Sequence, residues 1–195
     1  MRKLNVSNLA CYRSGNKIFS DISFDLNEGD VCLLSGSNGS GKTTLLRVLA
    51  GLIPISYGSI EYDNMNSLEG NFYILGHRLG IKEEVTPYED LLFWSSIYDY
   101  KNFENILKRV GLKNYKSLKC KYLSQGQRQR LAISRLLVSK KSIWLLDEPL
   151  SSLDKEGVFL LKELIDEHNK FGGIAVISSH NDFLKKYDFH INMDK

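Results

Sequence analysis

One stretch limits the fold more than any other. The apolar run Val31-Cys32-Leu33-Leu34-Ser35 passes straight into Gly36-Ser37-Asn38-Gly39-Ser40-Gly41-Lys42-Thr43, and KTTLLRVLAGL follows. A short continuous apolar run suits a strand covered on both faces, as in a parallel sheet. The leucines after Lys42 recur at helical spacing and stop at Gly51, a helix-end signal. Between strand and helix, the glycine-rich segment fits the G-x-x-x-x-G-K-[ST] pattern in the context that pattern requires. Its glycines let the backbone wrap with N–H groups inward, and the helix N-terminus adds positive potential. Gly36, Ser37, Asn38, Gly39, Ser40, Gly41, Lys42, Thr43 and Thr44 are thus expected to cradle the phosphates of a nucleotide. Lys42 would reach the β- and γ-phosphates, and the Thr43 hydroxyl would ligate Mg²⁺. Alone, the motif says only that a P-loop is present, which small-molecule kinases and GTPases also have.

A second motif sharpens this reading. Ser142-Ile143-Trp144-Leu145-Leu146-Asp147-Glu148-Pro149 is an apolar strand that delivers two adjacent carboxylates at its C-terminal end. Asp147 is placed to hold Mg²⁺, directly or through water, and Glu148 to polarise an attacking water as general base.

The rest of the chain alternates in the same way. Strands are expected near Leu4–Tyr12 and Lys17–Leu26, joined by a turn at Ser14-Gly15-Asn16, then at Asn71–Gly76 and in GIAVISSH. Helices are expected over Pro87–Tyr98, Asn102–Val110, Gln125–Val138 and Lys155–Asn169. The class is therefore α/β, a P-loop NTPase core with a mostly parallel sheet. An antiparallel β subdomain lies at the N-terminus, and a small helical subdomain over about 87–123 interrupts the alternation. At 195 residues the chain reads as one domain.

Composition excludes several alternatives. Apolar residues at 43% and charged residues at 25% suit a globular protein, and no run is long enough to cross a bilayer. The net charge of +3 comes from scattered lysines, without the arginine-rich block or aromatic-basic interleaving of a nucleic-acid groove. MRKLNVSNLACYRSG lacks the apolar run of a signal peptide. Cys11, Cys32 and Cys120 are far apart, which fits reduced thiols better than a metal or disulfide site. His168 and His190 read as surface or core residues, and Trp94 and Trp144 as packing residues.

The third motif separates the P-loop classes. Leu123-Ser124-Gln125-Gly126-Gln127 opens a helix about twenty residues before the Asp-Glu pair. It resembles the LSGGQ signature of ABC ATPases, with Gln125 replacing the first of two central glycines. Other parts fall in the order of that family. Ser151-Ser152-Leu153-Asp154 is similar to its D-loop, His180 stands where its switch histidine does, and Tyr12 where an aromatic stacks on adenine. The resemblance implies ATP and Mg²⁺ as cofactors. It also implies a head-to-tail dimer with a second copy, in which Ser124, Gly126 and Gln127 act in trans on the γ-phosphate, with Asp154 nearby.

One residue departs from the family. His77 occupies the strand-end slot where most ABC cassettes carry glutamine; imidazole can ligate a metal or hydrogen-bond a water, so a γ-phosphate and Mg²⁺ sensing role is expected there. The segment LGHRLGIKEEVTPYEDLLFW resembles the same region of the ATP-binding subunits of cytochrome c maturation (haem export) systems. That resemblance implies a peripheral position on the cytoplasmic face of the cell membrane. It also implies a multispanning, CcmB-like membrane subunit with further haem-handling subunits as partners, and contact through Arg78–Leu92. Two alternatives stay open. One is the ATPase of another exporter, for lipid, drug or lipoprotein. The other is a soluble ABC ATPase acting on DNA or ribosomes, although only about eighty residues separate P-loop and signature, with no sustained heptads.

Overall fold

The computed structural model describes residues 3–63, 70–179 and 187–194. The chain divides into two compact units, one of Met1–Gly76, Ser142–Pro149 and Ile165–Lys195, the other of His77–Lys141 and Leu150–Leu164.

The first unit holds two sheets. Strands β1 (Lys3–Arg13) and β2 (Asn16–Asn27) form a hairpin, and β4 (Tyr57–Tyr62) pairs antiparallel with the other edge of β1. Ser14 and Gly15 make the turn with φ of 49° and 79°. Two positive φ values give the turn twist that matches the strands, which explains a glycine at this point. Asn8 also has positive φ, at a bulge in β1. A Cβ at Gly58 would sit 2.5 Å from the carbonyl oxygens of Ser7 and Asn8, so only glycine lets β4 cross this bulge.

The second sheet is parallel, in the order β5 (Phe72–Leu75), β6 (Ile143–Asp147), β7 (Ile174–Ser178), β3 (Val31–Ser35), β8 (Phe189–Asn192). Every residue of β6 and β7 is buried, as their unbroken apolar sequences require. Helix α1 (Lys42–Leu49) packs Leu45, Leu46 and Leu49 into a core shared with Leu4, Leu9, Leu26 and Leu34. Because β3, β6 and β7 are adjacent and parallel, the segments leaving their C-terminal ends emerge side by side. Ligand sites in α/β sheets form at such edges.

Strands β4 and β8 do not announce themselves in the sequence. The first contains Gly58 and is largely exposed along one face; the second has four residues, none fully buried. Both depend on long-range pairing more than on local pattern.

The second unit is helical, with α2 (Pro87–Ile97), α3 (Phe103–Arg109) and α4 (Gln125–Ser139), and α5 (Lys155–Lys170) begins in it. Thr86 caps α2 reciprocally with Glu89, and Pro87 opens the first turn. Leu91, Leu107, Val110, Leu112, Leu123 and Leu131 form its core. Within that core Arg135 donates to Asp90 through Nε at 2.9 Å and Nη2 at 2.5 Å, and to the Leu79 carbonyl at 2.7 Å.

Candidate nucleotide site

The glycine-rich loop leaves β3 and curls into α1. Gly36, Gly39 and Gly41 have φ of 141°, 86° and 103°, values open to glycine and strained for other residues. Gly41 stands at the helix N-cap with no side-chain cap, so the first N–H groups of α1 have no intrahelical acceptor. These donors, with the helix dipole, are groups of the kind that can hold an anion. Lys42 is buried, and its Nζ donates to the carbonyls of Gly36 at 2.7 Å and Ser37 at 2.9 Å.

The carboxylate end of β6 meets this loop. Thr43 Oγ1 donates to Asp147 Oδ1 and Oδ2, both at 2.9 Å, and Ser178 Oγ donates to Asp147 Oδ1 at 2.8 Å. Asp147 is buried. Glu148 turns the chain out of the strand at a φ of 48°, and its N–H is held by the carbonyl and hydroxyl oxygens of Ser178 at 3.2 and 2.9 Å. A non-glycine residue at positive φ is uncommon and marks a constrained position. The lysine, hydroxyl and two carboxylates thus belong to one continuous structure. Its oxygen donors are of the hard kind that Mg²⁺ takes.

In the second unit, Ser124 caps α4. Its Oγ accepts from the Gln127 N–H at 3.2 Å, and Gln127 Oε1 accepts from the Ser124 N–H at 2.9 Å. The Gln125 and Gly126 N–H groups remain at the open first turn. A Cβ at Gly126 would lie 2.9 Å from the Ser152 carbonyl oxygen, so a side chain there would push the turn apart. Asp154 accepts from the Gly157 N–H at 2.8 Å and from Arg130 Nη2 at 2.5 Å. These bonds, the arginine's first, hold its carboxyl below the usual range.

A family pattern described as "ABC transporter" matches residues 19–151. The chain belongs to the ABC transporter family. It is the ATP-binding subunit type of that family, and curated relatives agree. The cytochrome c biogenesis ATP-binding export protein CcmA of Aliivibrio fischeri is 37% identical, covering 92% of each chain. CcmA of Reclinomonas americana is 36% identical, covering 98% of this chain and 91% of its own. An ABC transporter ATP-binding protein of Pyrococcus furiosus superposes with a TM-score of 0.87 at 25% identity, covering 98% of this chain and 97% of that one. The expected fold, parallel core sheet plus N-terminal antiparallel sheet plus helices, is that of an ABC cassette.

Other expected site residues of this ABC cassette stand as follows. Tyr12 is the penultimate residue of β1 with half its surface exposed, and its N–H donates to Ser56 Oγ at 3.0 Å. His77 follows β5 by two residues and is exposed. His180 lies outside the described residues. The sequence does not single out Ser178, although this residue both anchors Asp147 and seats Glu148. Its only signal is its place two residues before His180, at the end of a buried strand.

Proposed function

We propose that this chain is the ATP-hydrolysing subunit of a haem-exporting ABC transporter serving cytochrome c biogenesis. Similarity to two CcmA proteins along nearly the full length of both carries the cargo assignment. His77 in place of the family's usual glutamine, within a segment resembling those subunits, supports it.

In this reading Lys42 leaves the loop carbonyls and binds the β- and γ-phosphates, while N–H groups of the loop and of α1 hold the phosphate chain. Thr43 and Asp147 would hold Mg²⁺, which supplies charge neutralisation at the phosphates. Glu148 accepts a proton from water as its oxygen bonds to the γ-phosphorus, and the bond to the ADP oxygen breaks. Tyr12 stacks on adenine, and His77 and His180 sense the γ-phosphate. Ser124, Gly126, Gln127 and Asp154 complete the site of a second copy. The helical unit, with Arg78–Leu92, meets a multispanning CcmB-like subunit, and the chain sits as a single nucleotide-binding domain on the cytoplasmic face of the membrane. Among the described residues no helix is long and apolar enough to cross a membrane.

Glu148→Gln tests both layers. The variant is expected to bind Mg-ATP, lose turnover by about a hundredfold or more and accumulate as a dimer. Purified from native membranes with Mg-ATP, it should bring a multispanning subunit and haem-handling proteins with it. Another permease in their place would discard haem as cargo, and ribosomes or DNA would overturn the membrane role. Normal turnover would remove Glu148 as the base.

A further inference from the structure

The residues that follow β8 close against the phosphate loop, and the loop motif does not account for them. Asn192 pairs with Ser35 at the end of β3, and the Met193 N–H donates to the Ser35 carbonyl at 2.9 Å. The buried Met193 side chain lies where a Cβ on Gly36 would come within 3.2 Å of it, and one on Gly41 within 3.5 Å. Asp194 comes next. Its Oδ1 and Oδ2 accept from the Ser37 N–H at 2.8 and 3.0 Å, and Oδ1 accepts from the Ser37 hydroxyl at 2.7 Å. Lys42 holds the carbonyl of the same residue. Ser37 is therefore gripped at its amide, hydroxyl and carbonyl at once.

We infer that Asp194 is a positioning residue for the phosphate loop, fixing its first turn through Ser37 so that the later N–H groups face the nucleotide. This rests on the loop being the ATP site. The bonds from the Ser37 hydroxyl and amide, with the nearby Lys42 charge, keep the Asp194 carboxyl below its ordinary pKa, so it grips as the anion at neutral pH. Two effects oppose each other here. The grip pre-organises the loop, which favours nucleotide binding, while the negative charge repels phosphates. Asp194 is exposed, so the repulsion is screened by solvent, whereas three bonds from one residue to a charged acceptor are short-range and are not. The grip dominates.

The test is the Kd for Mg-ATP of the full chain, measured by calorimetry on wild type, Asp194→Ala, Asp194→Asn, Ser37→Ala, the Asp194→Ala/Ser37→Ala pair and Lys42→Ala. Thermal melts identify any variant that fails to fold. Asp194→Ala should bind about tenfold more weakly. Asp194→Asn keeps an oxygen for the Ser37 N–H without the charge and should recover most of that loss. The double variant should be no weaker than Asp194→Ala alone, because the two residues act as one unit. Equal or tighter binding by Asp194→Ala, or strictly additive losses, would overturn the inference. If wild type binds no ATP and Lys42→Ala changes nothing, the nucleotide-site reading itself fails.

Discussion

Thr43 and Asp147 stand 104 positions apart in sequence, yet the threonine hydroxyl lies 2.9 Å from both oxygens of the aspartate. The Ser178 hydroxyl donates to the same carboxylate, so one buried group satisfies two hydroxyls contributed by α1 and β7. Replacing Asp147 with alanine removes their shared acceptor. A cost of about 1–3 kcal/mol is expected from leaving such groups unpaired. Asp147→Asn keeps an acceptor oxygen and should lose less stability, while both variants lose phosphate release by about a hundredfold or more. Urea denaturation and a phosphate assay separate the two effects. Wild-type turnover in Asp147→Asn would show that the carboxylate charge is not needed.

His168 predicts a pH-dependent loss of stability. Its ring stacks on Trp144 with centroids 3.9 Å apart and planes 7° from parallel, and Nε2 lies 3.3 Å from the Ile174 carbonyl oxygen. Burial drives its pKa from 6.5 to about 4, against the opposing pull of the Ile174 and Ser142 carbonyls. Between those values the unfolded chain binds a proton that the folded chain refuses. Stability therefore falls as pH drops from about 6.5 towards 4 and receives no further loss from this group below that. About 2–3 kcal/mol is at stake, allowing for partial exposure of the ring. Denaturant midpoints across this window should slope for wild type and flatten for His168→Phe. An unchanged slope in the variant would assign the effect elsewhere.

Arg135 and Asp90 form a buried pair whose two members should not be separable. Asp90→Ala strands a guanidinium that lies over Trp94, 5.2 Å from its ring centroid, and is 3% exposed. Breaking such a pair from one side costs about 3–5 kcal/mol. Replacing both residues with apolar side chains of similar volume should cost far less, since neither charge then needs a partner. Equal losses for the single and double replacements, read from thermal or chemical unfolding, would show that packing rather than charge sets the effect.

Features written in local pattern are legible in this sequence, and features made by long-range geometry are not. The β3–loop–α1 segment, β6 with its Asp-Glu end and the capped start of α4 are legible because each carries its chemistry within about ten contiguous residues. The buried strands also declare themselves through unbroken apolar runs. Ser178 and Asp194 do not, since a serine closing a strand and an aspartate just past an edge strand are ordinary until the partner is known. The Gly126 requirement is visible as a motif, but its cause, the Ser152 carbonyl beneath it, is tertiary. Strand β8 is too short and too exposed for any periodicity to mark it.

The position of β3 has a consequence for synthesis. Its two neighbours are β7 and β8, made of residues 174–178 and 189–192, whereas β3 itself spans 31–35. During translation the strand that launches the loop has neither lateral partner until more than 130 further residues have emerged. Such non-local pairing is slow and leaves apolar edges open in the meantime. A nascent chain stalled before β7 would hold every residue of the glycine-rich motif and still lack the parallel strands that hold β3 in place. Nucleotide can therefore stabilise this protein only late, as a reward for completed folding rather than as a template for it.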